Sequence, residues 1–398
     1  MNRWIIVLTV LAHTTGCGDL PESATEAEPI GAGPYTVGST NFEVALEYAD
    51  IGDDAMHEIL LGNKADSGKA RFVAEVLKHP ESAWLTEVLI PDDTDLYGPA
   101  SGKILSVATF ITFPSGREDS QETYSFPYHR SMYGEFQNML SPGEEPDFAD
   151  PQARYPLIII AHGAEAHGVY DVQHAHDLAS HGYIVAVITY GDNRTAKKGE
   201  PNFHVSYLRP LLTKSVLDSL LNSEVFGPNI DADNIGISGH SFGGFTTLAI
   251  AGGPFQGNSA TVSDKRIKAG VIAAPWVGGH YDGSDFFAFG QNNAGLRQVN
   301  IPVISFYGTK DDVTLASFIL PAMQQLSGPT YVIELVDQPH VFEPGSWEDR
   351  NNWELLFFSA YLKHDQASLK TLETATSMRG GNKDIQRLDY QKPTPNSH

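Results

Sequence analysis

Residues 234–253 read NIGISGHSFGGFTTLAIAGG, and this stretch decides the fold. One apolar run precedes Ser241, a second follows it, and Gly239 and Gly243 stand two residues to either side. The pattern G-x-S-x-G between a strand and a helix is typical of a serine on a sharp turn, where the flanking residues approach too closely to carry side chains. The pattern therefore predicts that Ser241 is a nucleophile on a strained turn at the carboxyl edge of a sheet.

Short apolar runs alternate with helical patterns through the rest of the second half of the chain. The runs are PLIIIA at 156–161, YIVAVIT at 183–189, IKAGVIAA at 267–274, PVISFYG at 302–308 and TYVIELV at 330–336. Unbroken apolar runs of this length, separated by helices, are typical of parallel strands that are buried on both faces. We therefore predict an α/β fold with a mostly parallel central sheet and helices on both faces.

Composition and charge argue against nucleic-acid binding and against a membrane-spanning segment. The chain has 398 residues, of which 41% are hydrophobic, and this is enough apolar material for one large core. Its 49 acidic residues outnumber 26 basic ones, and the resulting net charge of −23 repels phosphate backbones, so we expect no nucleic-acid partner. No run approaches the roughly 18 consecutive apolar residues that a membrane span requires.

The first 20 residues, MNRWIIVLTVLAHTTGCGDL, have the pattern of an export signal. A positive charge is followed by an apolar core too short to span a membrane and by small residues, so we predict a signal peptide over residues 1–16. Cys17, the only cysteine, follows directly, and the arrangement resembles a bacterial lipoprotein signal. That resemblance implies acylation of Cys17 and anchoring in a bacterial envelope. The alternative is a plain secretory signal and a periplasmic or secreted protein.

The remaining segments predict a single catalytic domain. Residues 17–33 are small, acidic and rich in proline, and we expect a flexible tether there. The domain is predicted over residues 34–365, with an irregular insert at about 115–154 that is a candidate cover over the active site. Residues 366–398 are expected to form a C-terminal helix followed by a tail.

A serine nucleophile needs a base, and the base needs an orienting carboxylate. The turn TKDDVT after the fourth apolar run offers Asp311 and Asp312, and the turn DQPHVF after the fifth offers His340. The order serine, acid, histidine is that of α/β-hydrolases. These spacings predict a triad of Ser241 and His340 with one of the two aspartates, and the other aspartate is expected to lie in a solvated turn.

Attack on a carbonyl creates an oxyanion, which requires preorganised N–H donors. We expect one donor to be the backbone N–H of Phe242, the residue after the nucleophile. The second is expected in the loop HGAEAHG at 162–168, where Ala164 is the best candidate.

The motifs quoted above resemble the dienelactone-hydrolase-like branch of the α/β-hydrolase fold. This branch includes the platelet-activating-factor acetylhydrolases, and cutinase-like polyester hydrolases are relatives. The resemblance implies an oxyanion hole at Ala164 and Phe242, and its G-x-x-D spacing from Gly308 favours Asp311 over Asp312. Cutinase-like enzymes carry a tryptophan at the wall of the site, which implies a substrate contact for Trp276, although a packing role is equally open.

We therefore predict a serine carboxylic-ester hydrolase that acts through an acyl-serine intermediate on a small-molecule or polymeric ester. No cofactor and no metal are expected, because the clustered histidines at 162–176 lack the spacing of a helical ligand pair. The alternatives are a polyester hydrolase or lipase, a peptidase, and a catalytically silent surface-binding module on the same fold. The sequence does not predict acyl preference or oligomeric state.

Overall fold

The computed structural model describes residues 25–40, 84–117, 124–125, 135–136, 140, 145–164, 166, 168–190, 203–381 and 385–391. The predicted signal peptide and Cys17 lie outside these residues. Within the described part of the chain, no helix combines the length and apolar character that crossing a membrane needs.

The described residues form sixteen strands and seven α-helices. The strands are β1 Thr25–Ala27, β2 Thr36–Ser39, β3 Trp84–Leu89, β4 Ile104–Ser115, β5 Tyr124–Ser125, β6 Glu135–Phe136, β7 Tyr155–Ala161, β8 Ile184–Thr189, β9 Ile230–His240, β10 Ile267–Ala273, β11 Gly278–Tyr281, β12 Ser284–Phe287, β13 Val303–Gly308, β14 Thr330–Leu335, β15 Ala375–Met378 and β16 Ile385–Gln391. The helices are α1 Thr94–Tyr97, α2 Val172–Ser180, α3 His204–Leu221, α4 Phe242–Ile250, α5 Ala316–Met323, α6 Pro344–Leu362 and α7 Gln366–Thr374.

Ten strands form the central sheet, in the order β16-β14-β13-β10-β9-β7-β8-β4-β2, with β3 also paired to β4. The six strands from β14 to β8 run parallel, while β4 and β16 are antiparallel to their neighbours. All five apolar runs that were predicted as parallel strands lie in this part of the sheet. The prediction of an α/β-hydrolase fold with a mostly parallel sheet is confirmed.

Both faces of the sheet are covered, which explains why the strands have no polar side. Along β7, Ile158 and Ile160 join the core cluster on one face, which also contains buried side chains of α2 and α6. Leu157 and Ile159 join the cluster on the other face, with side chains of α3, α4 and α5. Because successive side chains of a strand point to opposite faces, both sets are apolar and the run is continuous.

The two ends of the chain differ from the sequence expectation. Residues 25–27, placed in the predicted tether, form β1, which pairs in parallel with β15, and Ala27 is buried. Beyond α7, the expected tail contains β15 and then β16, which pairs antiparallel with β14. These pairings satisfy backbone groups that a free tether or tail would expose to water, so the paired residues 25–27, 375–378 and 385–391 belong to the folded domain.

The predicted insert at 115–154 is only partly described. Its ends lie beside the amino-terminal end of β7, because Phe148 bridges to Ser115 and stacks on Tyr155 with ring centroids 6.1 Å apart. Ser241 follows the carboxyl end of β9, so both ends of the insert lie at the opposite edge of the sheet from Ser241. The proposed cover concerns the segment's interior, most of which lies outside the described residues.

A buried group of ionisable side chains on α2 and α6 contacts β9. Glu354 of α6 lies 2.8 Å from Arg350 and 3.1 Å from His174, and its side chain is fully buried. Arg350 also donates a hydrogen bond to Ser238 on β9, at 3.0 Å. Burial disfavours the ionised carboxylate, but the charges of Arg350 and His174 outweigh this and lower the pKa of Glu354 to about 2.

We expect Glu354→Leu to lower the free energy of unfolding by about 3–5 kcal/mol near pH 7, because it leaves the Arg350 charge buried without its partner. The measurement is chemical denaturation followed by circular dichroism. The matched control is Glu348→Leu on the same helix, an exposed position where we expect a change within about 0.5 kcal/mol. Equal effects of the two substitutions would contradict the ion-pair assignment.

Candidate active site

The site lies where the direction of strand addition in the sheet reverses. From β7 the chain adds β8 on one side, and then β9, β10 and β13 on the other. The loops that leave β7 and β9 therefore diverge and open a crevice at the carboxyl edge, which is where open α/β sheets bind ligands. Ala161 pairs with Gly239 at the ends of these strands, so the loop after β7 lies beside Ser241.

Ser241 has a strained backbone. Its φ of 56° and ψ of −117° lie in a region that residues with a side chain rarely adopt. A methyl group on Gly239 would lie 2.3 Å from the backbone of Gly243, and one on Gly243 would lie 1.8 Å from the carbonyl oxygen of Ala161. The glycines flanking the serine are therefore required by direct backbone approach. Ser241 is the N-cap of α4, yet its hydroxyl makes no capping hydrogen bond.

The hydroxyl instead faces a histidine. Ser241 Oγ lies 2.9 Å from His340 Nε2, and His340 Nδ1 lies 2.8 Å from Asp311 Oδ2. The Nδ1–H donates to the carboxylate, which leaves Nε2 as an acceptor for the serine proton. The structure thus brings together Ser241, His340 and Asp311 in one proton-relay geometry, and the catalytic roles assigned to them stay predictions.

The turn after β13 distinguishes the two aspartates. Asp311 is buried, and its Oδ1 accepts the backbone N–H groups of Val313 and Thr314, both at 2.8 Å. Burial tends to raise the pKa of Asp311, but hydrogen bonds from His340 and Thr314 outweigh it, so this pKa is lowered and the carboxylate stays ionised. Asp312 is exposed and has no described contact with His340.

Thr314 is a site residue that the sequence analysis missed. Its hydroxyl lies 2.6 Å from Asp311 Oδ2 and 3.2 Å from His340 Nδ1, and it also contacts the carbonyl of Ala274 at 3.0 Å. It therefore links the acid turn, the imidazole and the loop after β10. The available signal was a threonine three residues after the aspartate, a spacing that favours a side-chain-stabilised turn.

His240 is a second residue that the sequence analysis missed. Its Nε2–H donates to the carbonyl oxygen of His340 at 2.8 Å, so the residue before Ser241 holds the loop of His340. The residue keeps some exposure, but its ring packs among His340, Phe342 and Trp347. Burial and the neighbouring His340 lower the pKa of His240 to about 4, and its imidazole is therefore neutral near pH 7.

The predicted oxyanion donors belong to two segments that meet at Ser241. Phe242 is the first residue of α4, so its N–H lies at a helix N-terminus, where the helix dipole favours negative charge. Gly163 lies close to Ser241, because a methyl group on it would be in van der Waals contact with Ser241 Cβ, at 3.4 Å. Ala164 follows Gly163 in this loop and is exposed. Their role as donors stays a prediction.

Trp276 lies beside the nucleophile at the start of an aromatic wall. Its backbone N–H donates to the carbonyl of Ser241 at 3.0 Å, and its indole N–H donates to the hydroxyl of Tyr281 at 2.9 Å. The indole ring stacks on Phe286 and lies 5.5 Å from the ring of Phe242. The ring is partly buried, so substrate contact and packing both remain compatible with its position.

Among the described residues, no group of three His, Cys, Asp or Glu side chains gathers as metal ligands would.

Comparisons with known proteins match part of the chain. The family described as platelet-activating factor acetylhydrolase, isoform II, matches residues 119–200, which include β7, β8 and the loop of Ala164 but end before Ser241. The platelet-activating factor acetylhydrolases of dog (Canis lupus familiaris) and cattle (Bos taurus) are each 27% identical over 170 residues. The resemblance to this family is confirmed for part of the chain. Each similarity covers 31% of this chain and 36% of the acetylhydrolase, so the chain spans about a third of the length of these relatives.

We expect His240→Gln to make the protein less sensitive to acid. Between about pH 6.5 and pH 4 the unfolded chain protonates this histidine and the folded protein does not, so His240 makes stability fall as the pH falls. Glutamine keeps a side-chain N–H for the His340 carbonyl and removes this titration. The measurement is the free energy of unfolding across that pH range, which we expect to fall less steeply in the variant.

The control for this prediction is the same comparison above about pH 7.5, where neither the folded nor the unfolded chain protonates His240. There we expect the stabilities of the two proteins to change with pH in parallel. The same slope in both proteins between about pH 6.5 and pH 4 would show that His240 titrates normally in the folded state.

Proposed function

We propose that this protein is a serine carboxylic-ester hydrolase that acts through an acyl-serine intermediate. The observation that carries the proposal is the chain of contacts from Ser241 Oγ through His340 to Asp311, at 2.9 Å and 2.8 Å. The partial similarity to the acetylhydrolases supports the same reaction class. Serine, rather than cysteine, at the nucleophile position favours ester chemistry.

In the first half of the reaction, Ser241 attacks the ester carbonyl while His340 Nε2 accepts the hydroxyl proton. The imidazolium that forms is stabilised by the buried Asp311 carboxylate, which the turn of Val313 and Thr314 keeps ionised. The carbonyl oxygen becomes an oxyanion, for which the proposed donors are the N–H groups of Phe242 and Ala164. His340 then returns the proton to the departing alcohol, which leaves the acyl group on Ser241.

The second half hydrolyses the acyl-serine. His340 accepts a proton from a water molecule, the resulting hydroxide attacks the acyl carbonyl, and Ser241 is released with its proton restored. No cofactor takes part in this sequence. The strained turn keeps Ser241 Oγ beside the imidazole in both halves, so little rearrangement is needed between them.

We expect a fluorophosphonate probe to label the protein at Ser241 and to abolish hydrolysis of p-nitrophenyl esters. Ser241→Ala removes the nucleophile without changing the backbone requirement, so we expect activity to fall by about 10⁴-fold or more with a nearly unchanged melting temperature. Mass spectrometry of the labelled peptide provides the measurement. Absence of labelling in pure, folded protein would favour the silent surface-binding module instead.

Asp311→Asn and Asp312→Asn form a matched pair of adjacent, isosteric changes. We expect Asp311→Asn to lower kcat by about 10³–10⁴-fold, because a neutral amide neither holds the imidazole tautomer nor stabilises its charge. We expect Asp312→Asn to retain kcat within about twofold, since its side chain is exposed. Steady-state kinetics on one ester tests both, and the reverse pattern would assign the role to Asp312.

Within the proposed reaction, the length of the acyl group distinguishes the candidate substrate classes. Because the similar dog and cattle proteins are acetylhydrolases, we propose that acetyl and other short acyl esters are accepted. A panel of p-nitrophenyl esters of increasing acyl length, a polyester film and a peptide amide separates this proposal from polyester hydrolysis, lipase action and peptidase action.

A further inference from the structure

Arg209 is a fully buried cation on α3, in the otherwise apolar stretch VSYLRPLL. Burying a guanidinium in an apolar interior is costly unless its N–H groups are satisfied. Its contacts therefore indicate what the charge is for. The described contacts lead to the loop after β7, to the ring of the residue after Ser241 and to the ring of Tyr190.

The guanidinium holds two consecutive carbonyl groups of that loop. Nη1 donates to the carbonyl oxygen of His162 at 2.5 Å, and Nη2 donates to the carbonyl oxygen of Gly163 at 3.0 Å. The Gly163 oxygen also lies 2.7 Å from His162 Nδ1, and the backbone N–H of Ala166 approaches it at 3.4 Å. The planar fork of an arginine suits this task, because it reaches two acceptors in a fixed relative geometry.

The same guanidinium packs against two aromatic rings. Its central carbon lies 4.7 Å from the ring centroid of Tyr190 and 4.9 Å from that of Phe242. Phe242 supplies the other proposed oxyanion donor through its backbone. One cation thus contacts residues from both halves of the proposed oxyanion hole, although they belong to different elements of the fold.

The direction of the Ala164 N–H follows from the contacts of the Gly163 carbonyl. In a planar trans peptide, the C=O and the N–H of one unit point in opposite directions. The Gly163 carbonyl shares its peptide unit with the N–H of Ala164, and this carbonyl points to Arg209. The N–H of Ala164 therefore points away from the guanidinium. A methyl group added to Gly163 would lie 3.4 Å from Ser241 Cβ, which places this peptide unit close to the reacting serine.

We propose that Arg209 is the positioning residue of the oxyanion hole: by holding the carbonyl groups of His162 and Gly163, it fixes the direction of the Ala164 N–H beside Ser241. The inference rests on the proposed ester hydrolysis and deepens it. Arg209 does not touch substrate. It acts through the loop peptides, and its charge, in a medium of low dielectric constant, also polarises these peptides and strengthens the N–H as a donor.

The test compares Arg209→Lys and Arg209→Met with the unsubstituted protein. Lysine keeps the charge but cannot hold both carbonyls in a fixed fork, and methionine removes the charge at similar volume. We expect kcat to fall about 10-fold for lysine and about 100-fold for methionine, with KM changed less than about threefold, because the donors act in the transition state.

An alkyl trifluoromethyl ketone provides a readout that a purely structural role would not move. Ser241 adds to the ketone carbon, its proton passes to His340, and the ketone oxygen becomes an oxyanion in the proposed hole. We expect the affinity for this inhibitor to fall by the same factor as kcat in each variant. End-point labelling with a fluorophosphonate counts the active molecules, so that kcat is expressed per competent site.

Leu212→Ala is the matched control for lost packing. Leu212 is buried on the same helix and belongs to its apolar core, so we expect lower stability with kcat per labelled site within about twofold. If Arg209→Met does not fold, the lysine variant decides the question. Retention of kcat and inhibitor affinity within twofold in Arg209→Lys would overturn the inference.

The outcomes also separate this inference from the proposed function. If the unsubstituted protein is not labelled by the fluorophosphonate, both the ester hydrolysis and the role of Arg209 are overturned. If it is labelled and turns over esters while the Arg209 variants behave like Leu212→Ala, only the role of Arg209 is overturned.

Discussion

The backbone of Ser241 is the constraint on which the rest of the site depends. A residue with a side chain is held at φ 56° because the strand before it and the helix after it meet with no spacer. The turn closes only because Gly239 and Gly243 allow direct backbone contact, and Ala161 of the neighbouring strand fills the remaining space. Strain of this kind costs about 1–3 kcal/mol and persists only where the surroundings over-determine it. Here the surroundings are two parallel strands and the core on both of their faces.

The proton relay depends on loops that are tied to one another as well as to the sheet. His340, the proposed base, follows a strand three places away from β9, so its loop has to return across β13 and β10. Gly308 allows that return, since a methyl group on it would lie 2.1 Å from the Gln338 carbonyl oxygen. Thr314 then ties the acid turn to the imidazole, and His240 holds the carbonyl of His340 itself. These polar contacts are short and are buried or partly buried. They hold the residues of the relay in place although these residues lie far apart along the chain.

The central sheet was predictable because a strand buried on both faces has an unmistakable pattern, and five such runs were all present. The convergence of Ser241, Asp311 and His340 was predictable because parallel strands end at one edge. Other features depend on contacts that no local pattern records, and Arg209 is the clearest case, since its importance appears only when α3 packs against the loop after β7. The hairpin of β11 and β12 was missed despite a local signal in the sequence, the dipeptide Asp282-Gly283. In the structure these two residues have φ of 49° and 78°, as a tight two-residue hairpin turn requires. The carboxyl-terminal strands were missed because their pairing partners lie far away along the chain.

The position of β16 has a consequence for the way this protein avoids unwanted association. β14 carries the loop of His340, and without β16 its outer row of N–H and C=O groups would be open to any extended chain. The last described strand of the chain occupies that row in the antiparallel direction. Proteolytic trimming near the carboxyl terminus would therefore do more than shorten the protein. It would expose an unpaired strand edge on the strand that precedes the His340 loop, and self-association through that edge would compete with refolding of the intact sheet.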